Sequence, residues 1–396
     1  MRDALQRIEQ GLKSNDLEAV IQAAAHLGTV AADVSRGQQL LGDLLRRRRK
    51  FEQALDAYEV SLKAAEAKNM ASLYGKLECL KELGRPNPFI KGVEQFQKNA
   101  RFNENLLSRL ALAAAEMGER THALALIEEV ATKGSDEPRT WFRLAKAQLL
   151  LGEKDNALKD AKKARDLAVG DKDLLLEIST ISYDISEYWE LRYNSSQGER
   201  TPVPVDAQRD EAYAQRTRRD TDFLQSTFSS LFGQTQFEKV ADCGCGSGRL
   251  IPFLSKWSEN LDCFDISPTA IAYASKNNGN LPSIAFHSQD MSQTMLPASV
   301  YDFIFDYTAV QHVSDPDQWR SVLMNYVQAC KPGGIIFLLE VLSDGKELGV
   351  LHVSNATPED YVKMMETAGA MLIHKETAPW KDVSWKEVCL VFRKAG

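Results

Sequence analysis

Eight consecutive residues, Asp242-Cys243-Gly244-Cys245-Gly246-Ser247-Gly248-Arg249, combine the features most able to hold a small ligand. Alternating glycines after an apolar run allow a tight turn and let a ligand approach the backbone closely. A dinucleotide fingerprint would place its third glycine five residues after the first, where this chain has Arg249. Here the third glycine comes one residue sooner, and Arg249 reads as a surface residue of the first helical turn that follows. Three more acids, Asp265, Asp290 and Asp306, close apolar runs further along, and each carboxylate can accept hydrogen bonds from a ligand's hydroxyl or amino groups. Two groups could take up a proton: His312, whose residue type titrates near neutral pH, and Glu340. Cys243 and Cys245 are separated by one residue and have no Cys or His companions at zinc spacing, so no metal site is expected.

Such residues need strands and turns to present them. Strand-like runs cover residues 240–243, 261–264, 284–287, 303–306, 335–340, 371–374 and 388–392, and helical patterns follow most of them. This alternation predicts an α/β fold with a doubly wound, mostly parallel sheet, whose ligands bind at the carboxyl ends of the strands. The glycine loop and the three acids all fall at such ends. Ahead of the first strand lie a helix expected over residues 207–232 and a polar, turn-rich stretch, residues 194–204, read as a loop. Residues 174–185 continue the helical periodicity of the preceding region.

The N-terminal half is periodic. Gly84, Gly118 and Gly152 recur at a step of 34, with Lys50 at the same phase one period earlier. Leu110 and Leu144, Ala111 and Ala145, and Ala123 and Ala157 keep the same step. The pattern resembles the tetratricopeptide repeat, best seen in Trp141, Leu144, Ala145, Gly152 and Ala157, and it implies about four helical hairpins stacked as a solenoid. In the copy around Gly84, Arg85-Pro86-Asn87-Pro88 is expected to interrupt the turn. Stacked repeats typically offer a concave surface, which points to a protein partner or to self-association. The expected divisions are a repeat domain over residues 1–170, connecting helices and a cap over 171–235, and a catalytic domain over 236–396.

Composition narrows the partners. A formal net charge of −7 argues against nucleic acid, since nothing global would draw the chain to phosphate. No apolar run approaches the ~20 residues of a membrane span, and the N-terminus opens into an amphipathic helix, so a cytoplasmic protein with reduced thiols is expected.

With Asp242 two residues before its first glycine, the loop Gly244, Gly246, Gly248 resembles motif I of the class I S-adenosylmethionine-dependent methyltransferases, and the resemblance extends from Tyr188 to Arg393. It implies a seven-stranded methyltransferase sheet and S-adenosylmethionine as cofactor. By the same resemblance Asp265, followed by Ile266, receives the ribose hydroxyls, and Asp290 and Met291 meet the adenine amine and ring. Asp306 and Tyr307 form motif IV, while Asp242 holds the loop or meets the methionine ammonium. The segment Tyr188-Trp189-Glu190-Leu191-Arg192-Tyr193 is similar to the opening of a set of bacterial methyltransferases, several associated with sugar or glycan modification. There Tyr188 or Trp189 would cover the methionine end, with Arg192 facing its carboxylate.

Departures from other subclasses define the acceptor further. No Asn-Pro-Pro-Tyr segment follows the fourth strand, so methylation of a planar amine or amide in nucleic acid is disfavoured, and no acidic cluster for a magnesium-assisted mechanism is recognisable. The expected reaction is methylation of a hydroxyl, or secondarily an amine, on a small metabolite or glycan terminus, with His312 or Glu340 as base. Two other readings stand beside it: a protein methyltransferase whose repeats capture the substrate protein, and a cofactor-sensing scaffold without catalysis.

Overall fold

Left-handed turns set the spacing of the N-terminal helices. The computed structural model describes residues 2–66, 68–99, 103–195, 211–342, 353–354, 356–380 and 387–396, and it divides into two compact units, Met1–Val169 and Gly170–Gly396. The first unit contains α1 (Arg2–Lys13), α2 (Leu17–Ala25), α3 (Ala31–Arg47), α4 (Phe51–Ala64) and α5 (Met70–Glu82), followed by α6 (Pro86–Asn99), α7 (Glu104–Glu116), α8 (Arg120–Lys133), α9 (Pro138–Leu150) and α10 (Lys154–Leu167). Gly84, Gly118 and Gly152 end α5, α7 and α9 at φ of 64°, 77° and 78°. No atom lies within 4 Å of where their Cβ atoms would stand, so they are needed for backbone conformation and not for close packing.

The same turn closes α3, but its left-handed residue is Arg49 (φ 58°), not Lys50, and the first step is one residue longer than the rest. Pro86 and Pro88 do not break the turn after Gly84; they stand in the first turn of α6, where a helix has no use for their N–H groups. Among the described residues the ten helices form five pairs instead of about four. The extra pair, α1 and α2, escapes the glycine pattern because Asn15 takes the left-handed conformation (φ 55°) and Asp16 caps α2 through the Ala19 N–H.

The second unit opens with α11 (Lys172–Ser179), α12 (Ile185–Asn194) and α13 (Glu211–Phe232), so the periodicity over residues 174–185 breaks before α12. Residues 196–204 of the expected loop and 207–210 of the expected helix lie outside the described residues. Then come β1 (Phe237–Cys243), α14 (Ile251–Leu254), β2 (Ser258–Asp265), α15 (Pro268–Asn278), β3 (Ile284–Ser288) and β4 (Tyr301–Tyr307). The chain continues with α16 (Pro316–Ala329), β5 (Cys330–Val341), α17 (Pro358–Thr367), β6 (Ala370–Thr377) and β7 (Glu387–Lys394). All seven expected strands are present, most longer at their ends than their apolar runs suggested.

Sheet order is β3-β2-β1-β4-β5-β7-β6. Strands β1 to β5 pair in parallel, while β7 runs antiparallel between β5 and β6. Alternation along the central strands serves two cores, as a sheet covered on both faces requires. Phe303, Phe305, Phe337 and Leu339 pack with α13 and α14 on one side. Ile304, Ile336 and Leu338 pack with α16 and α17 on the other. The strand order reverses between β1 and β4, where parallel sheets leave a crevice at their carboxyl ends. No helix among the described residues is long and apolar enough to cross a membrane.

Candidate active site

A cavity of about 350 Å3 opens at that crevice, near the lower end of the range for small-molecule sites. Asp242, Gly244, Gly246, Asp265, Ile266, Asp290, Met291, Tyr307 and His312 line it, and α12 adds Tyr188, Trp189 and Arg192. Three residues singled out from the sequence do not reach it: Gly248, Asp306 and Glu340.

Asp265 organises the glycine side. Its Oδ2 accepts from the Gly246 N–H and its Oδ1 from the Ser267 N–H, both at 2.9 Å, which ties the loop after β1 to the turn after β2. Burial pushes its carboxyl up to about 6, the backbone donors holding it from rising further. Asp290 spends one oxygen on the Ser292 N–H and hydroxyl, at 2.8 and 2.7 Å. Asp242 is 3% exposed, and burial, with Asp306 and Asp265 nearby, pushes its carboxyl well up. A positive group entering here would relieve that crowding.

The glycines of the loop serve different neighbours. A Cβ on Gly246 would lie 2.9 Å from the Tyr193 hydroxyl, so this residue lets α12 close over the loop. On Gly248 it would meet Asn278 Nδ2 at 2.4 Å, which makes the third glycine a packing position against α15.

Glu190 fixes α12 in place. It accepts from the hydroxyl of Ser267 at the start of α15, from Thr269 and from Asn194. Burial alone would raise its carboxyl, but these hydrogen bonds outweigh burial and hold it below the usual value. Arg192 then lies over the rings of Tyr188 and Trp189, each 5.9 Å from its guanidinium carbon, and bonds the Tyr188 hydroxyl at 3.1 Å. Its Nε is buried and has no partner among the described residues. A donor left unpaired in a cavity wall costs energy unless an acceptor arrives, and a ligand carboxylate would supply one.

Trp189 also packs edge-on against His312, with centroids 4.8 Å apart. Gln311 orients that imidazole. Its Oε1 accepts from the Val341 N–H, which turns its Nε2 to the His312 Nε2 at 3.3 Å. This contact and the Trp189 ring hold the imidazole at the cavity wall.

Asp306 and Glu340 correct the sequence expectation. Both are fully buried behind the cavity wall. Asp306 accepts from the N–H groups of Ala309 and Val310 and from the Tyr326 hydroxyl at 2.8 Å. Glu340, close enough to Asp306 for the two carboxyls to influence each other, accepts from the Gln311 N–H at 3.2 Å. Burial, followed by the charge of the neighbouring Asp306, pushes the Glu340 carboxyl well up, and burial raises Asp306 as well. These acids brace the loop after β4 and do not line the cavity. Alternation explains the difference: Tyr307 faces the cavity, and Asp306 points to the opposite face.

Arg249 departs from expectation in the other direction. Its side chain is 8% exposed and lies 2.8 Å from Asp220 of α13, which also meets Arg219 at 2.9 Å and Arg216 at 3.7 Å. Its guanidinium sits 5.5 Å over the Tyr307 ring, and Arg216 and Arg249 both line the cavity. The sequence signal for Asp220 was only its i, i+4 spacing from Arg216. Tyr193 stood out only as the last residue of the Tyr188–Tyr193 segment, without a role, and nothing local marked Gln311.

The Asp306–Glu340 pair generates a pH test. The folded chain holds a proton on Glu340 that the unfolded chain releases above about pH 4, so this group's contribution falls as pH rises, by up to ~1.4 kcal/mol per pH unit. Glu340→Gln keeps an acceptor for Gln311 without the titration. In urea unfolding the variant is expected to gain on the wild type between about pH 5 and pH 8. A constant difference across that range would mean that Glu340 is ionised in the folded chain.

The chain is similar to known proteins over part of its length. Nodulation protein S of Azorhizobium caulinodans is 32% identical over 111 residues, which are 28% of this chain and 53% of that protein. The chain thus spans about half the length of this curated relative. Among solved structures, the N-methyltransferase NodS from Bradyrhizobium japonicum WM9, in complex with S-adenosyl-l-homocysteine, is 19% identical with a TM-score of 0.42, covering 52% of this chain and 98% of that one. A SAM-dependent methyltransferase from Leishmania major is 18% identical with a TM-score of 0.43, covering 60% and 91%. Residues 240–334, which carry the glycine loop, Asp265, Asp290 and His312, match the family described as a methyltransferase domain.

Proposed function

We propose that the C-terminal unit is an S-adenosylmethionine-dependent methyltransferase acting on a hydroxyl or amine of a small metabolite or glycan terminus. The observation that carries this reading is the convergence on one cavity of the glycine loop, the Asp265 carboxylate, Asp290 with Met291, and the unpaired Arg192 Nε. Chemically the residues present fit the cofactor. Asp265 would receive the ribose hydroxyls, Asp290 and Met291 the adenine, Asp242 the ammonium and Arg192 the carboxylate. When bound, S-adenosylmethionine supplies an electrophilic methyl group on a sulfonium.

The chain's own contribution is alignment and exclusion of water. Tyr188, Trp189 and Tyr193 form an aromatic cover over the loop, held down by Glu190. His312, oriented by Trp189, would take the acceptor's proton at Nε2, the acceptor displacing the Gln311 amide from that nitrogen. Tetratricopeptide-like repeats in the N-terminal unit would serve recruitment or assembly.

Isothermal calorimetry tests the cofactor site. Asp265→Ala removes an acceptor whose charge-assisted bonds are worth roughly 1.5 to 3 kcal/mol each, so affinity for S-adenosylmethionine is expected to fall at least about tenfold. In the wild type, affinity should weaken as pH drops below about 6, where Asp265 takes up a proton. Unchanged binding by the variant would take Asp265 out of the site.

Once an acceptor is in hand, His312→Ala should lower turnover by ~10² to 10⁴ with little change in cofactor affinity. The wild-type rate should fall as the ring is protonated. A variant with near-normal turnover and the same pH profile would show that proximity alone suffices and no base is used.

A further inference from the structure

In the unit Gly170–Gly396, three arginines and two carboxylates gather around Tyr307, the last residue of β4. Arg219 Nε donates to Asp220 Oδ1 at 3.0 Å, and its guanidinium lies 4.3 Å over the Trp380 ring. Trp380 Nε1 in turn donates to Glu387 at 2.8 Å. Burial, followed by the charges of Asp220 and Glu387, pushes the Tyr307 phenol well up, with Arg249 acting against them.

Donors are left over in this group. Asp220 is fully buried, and Arg249 Nη1 reaches its Oδ2 at 2.8 Å without the alignment of a hydrogen bond. Arg216 Nε stands 3.7 Å from the same oxygen, too far to bond it. Arg216 Nε, Arg249 Nη1 and the Tyr307 hydroxyl are all buried, and none has a hydrogen-bond partner among the described residues. Tyr307 is 7% exposed, and all three residues line the cavity that His312 also lines. Buried donors of this kind cost free energy until an acceptor arrives, and the two oxygens of a carboxylate accept several at once. Charge points the same way. Among the described residues, the guanidinium groups of Arg216, Arg219 and Arg249 against the carboxylates of Asp220 and Glu387 leave one positive charge. A carboxylate balances that charge, whereas a phosphate ester, at about −1.5 to −2, overshoots it.

We propose that Arg216, Arg249 and Tyr307 form an acceptor subsite that holds a carboxylate, so that the molecule methylated is a small acid carrying its hydroxyl or amine elsewhere. Tyr307 ends β4, and His312 stands in the turn that follows it. An acid anchored beside Tyr307 fixes one end of the acceptor, and the turn with His312 meets the other, which supplies the alignment that methyl transfer needs. Arg192, on α12, is left to the carboxylate of the cofactor. The inference rests on the methyltransferase reading above and narrows its acceptor.

The test follows labelled methyl from S-adenosylmethionine, through the full-length chain, into the small molecules of a cell lysate. Coupling the labelled product to ethylenediamine with a carbodiimide should turn its carboxyl into a cation and move its elution from a cation exchanger to higher salt. Arg216→Gln should raise the half-saturating amount of lysate about tenfold or more at a nearly unchanged maximal rate, and Tyr307→Phe should raise it severalfold. Both variants should keep the wild-type affinity for S-adenosylmethionine by calorimetry, and Arg218→Gln, at an exposed position of α13, should change nothing. Circular dichroism checks folding; should Arg216→Gln misfold, Tyr307→Phe decides the outcome. A labelled small molecule that the coupling leaves unchanged, label confined to macromolecules, or transfer indifferent to both variants would overturn the inference while methyl transfer stands. A product whose elution shifts on phosphatase treatment would overturn it in favour of a phosphate, and weaker cofactor binding by Arg216→Gln would assign the arginine to the cofactor instead. No label in any fraction would defeat the methyltransferase reading itself, and the inference with it.

Discussion

The two hydrogen bonds that Asp265 accepts from Gly246 and Ser267 join the loop after β1 to the turn after β2, and the rest of the cavity is built against that junction. Ser267 caps α15 through the Ala270 N–H, and its hydroxyl donates to Glu190. Through Glu190 the start of α15 holds α12. Through Tyr193, α12 rests on Gly246, where a side chain would leave no room. One carboxylate thus connects the sheet, the glycine loop and the aromatic cover, and its environment leaves it poised between charged and neutral near pH 6.

A second constraint comes from placing acids where the sheet is driest. Asp242, Asp265 and Asp306 close three adjacent strands, and each carboxyl is pushed upward by burial. The protein resolves this in two ways. Behind the wall, two backbone N–H groups and the Tyr326 hydroxyl donate to Asp306, and these bonds counter its burial. At the wall, Asp242 and Asp265 remain available to a ligand with a positive group and hydroxyls. Asp220 is handled differently: Arg249 and Arg219 neutralise it directly, with Arg216 close by, and the excess of cations lies along the cavity.

Strand existence was legible in the sequence because parallel strands covered on both faces read as continuous apolar runs, and their ends are marked by Asp265, Asp290 and Asp306. Which face each end residue takes was not legible from spacing alone. Asp306 and Glu340 each sit one residue out of phase with the neighbour that meets the cavity, Tyr307 and Val341, and a shift of one residue along a strand reverses the side chain. Arg249 was misread because its partner, Asp220, lies on a helix far away in sequence. In the repeats, Gly118 and Gly152 were conspicuous since their φ values favour glycine, whereas Asn15 and Arg49 make the same turn without it. Glu190, Tyr193 and Gln311 act by contacts between elements, which local pattern does not reveal.

The most direct measurement of the central claim is transfer of a radiolabelled methyl group from S-adenosylmethionine, by the purified full-length chain, into a cell lysate separated into small-molecule and macromolecular fractions. Label is expected in the small-molecule or glycan fraction, at a rate that collapses when Asp265 is replaced. Label confined to protein would contradict the proposed acceptor class, and no transfer above the Asp265→Ala background into any fraction would contradict catalysis itself.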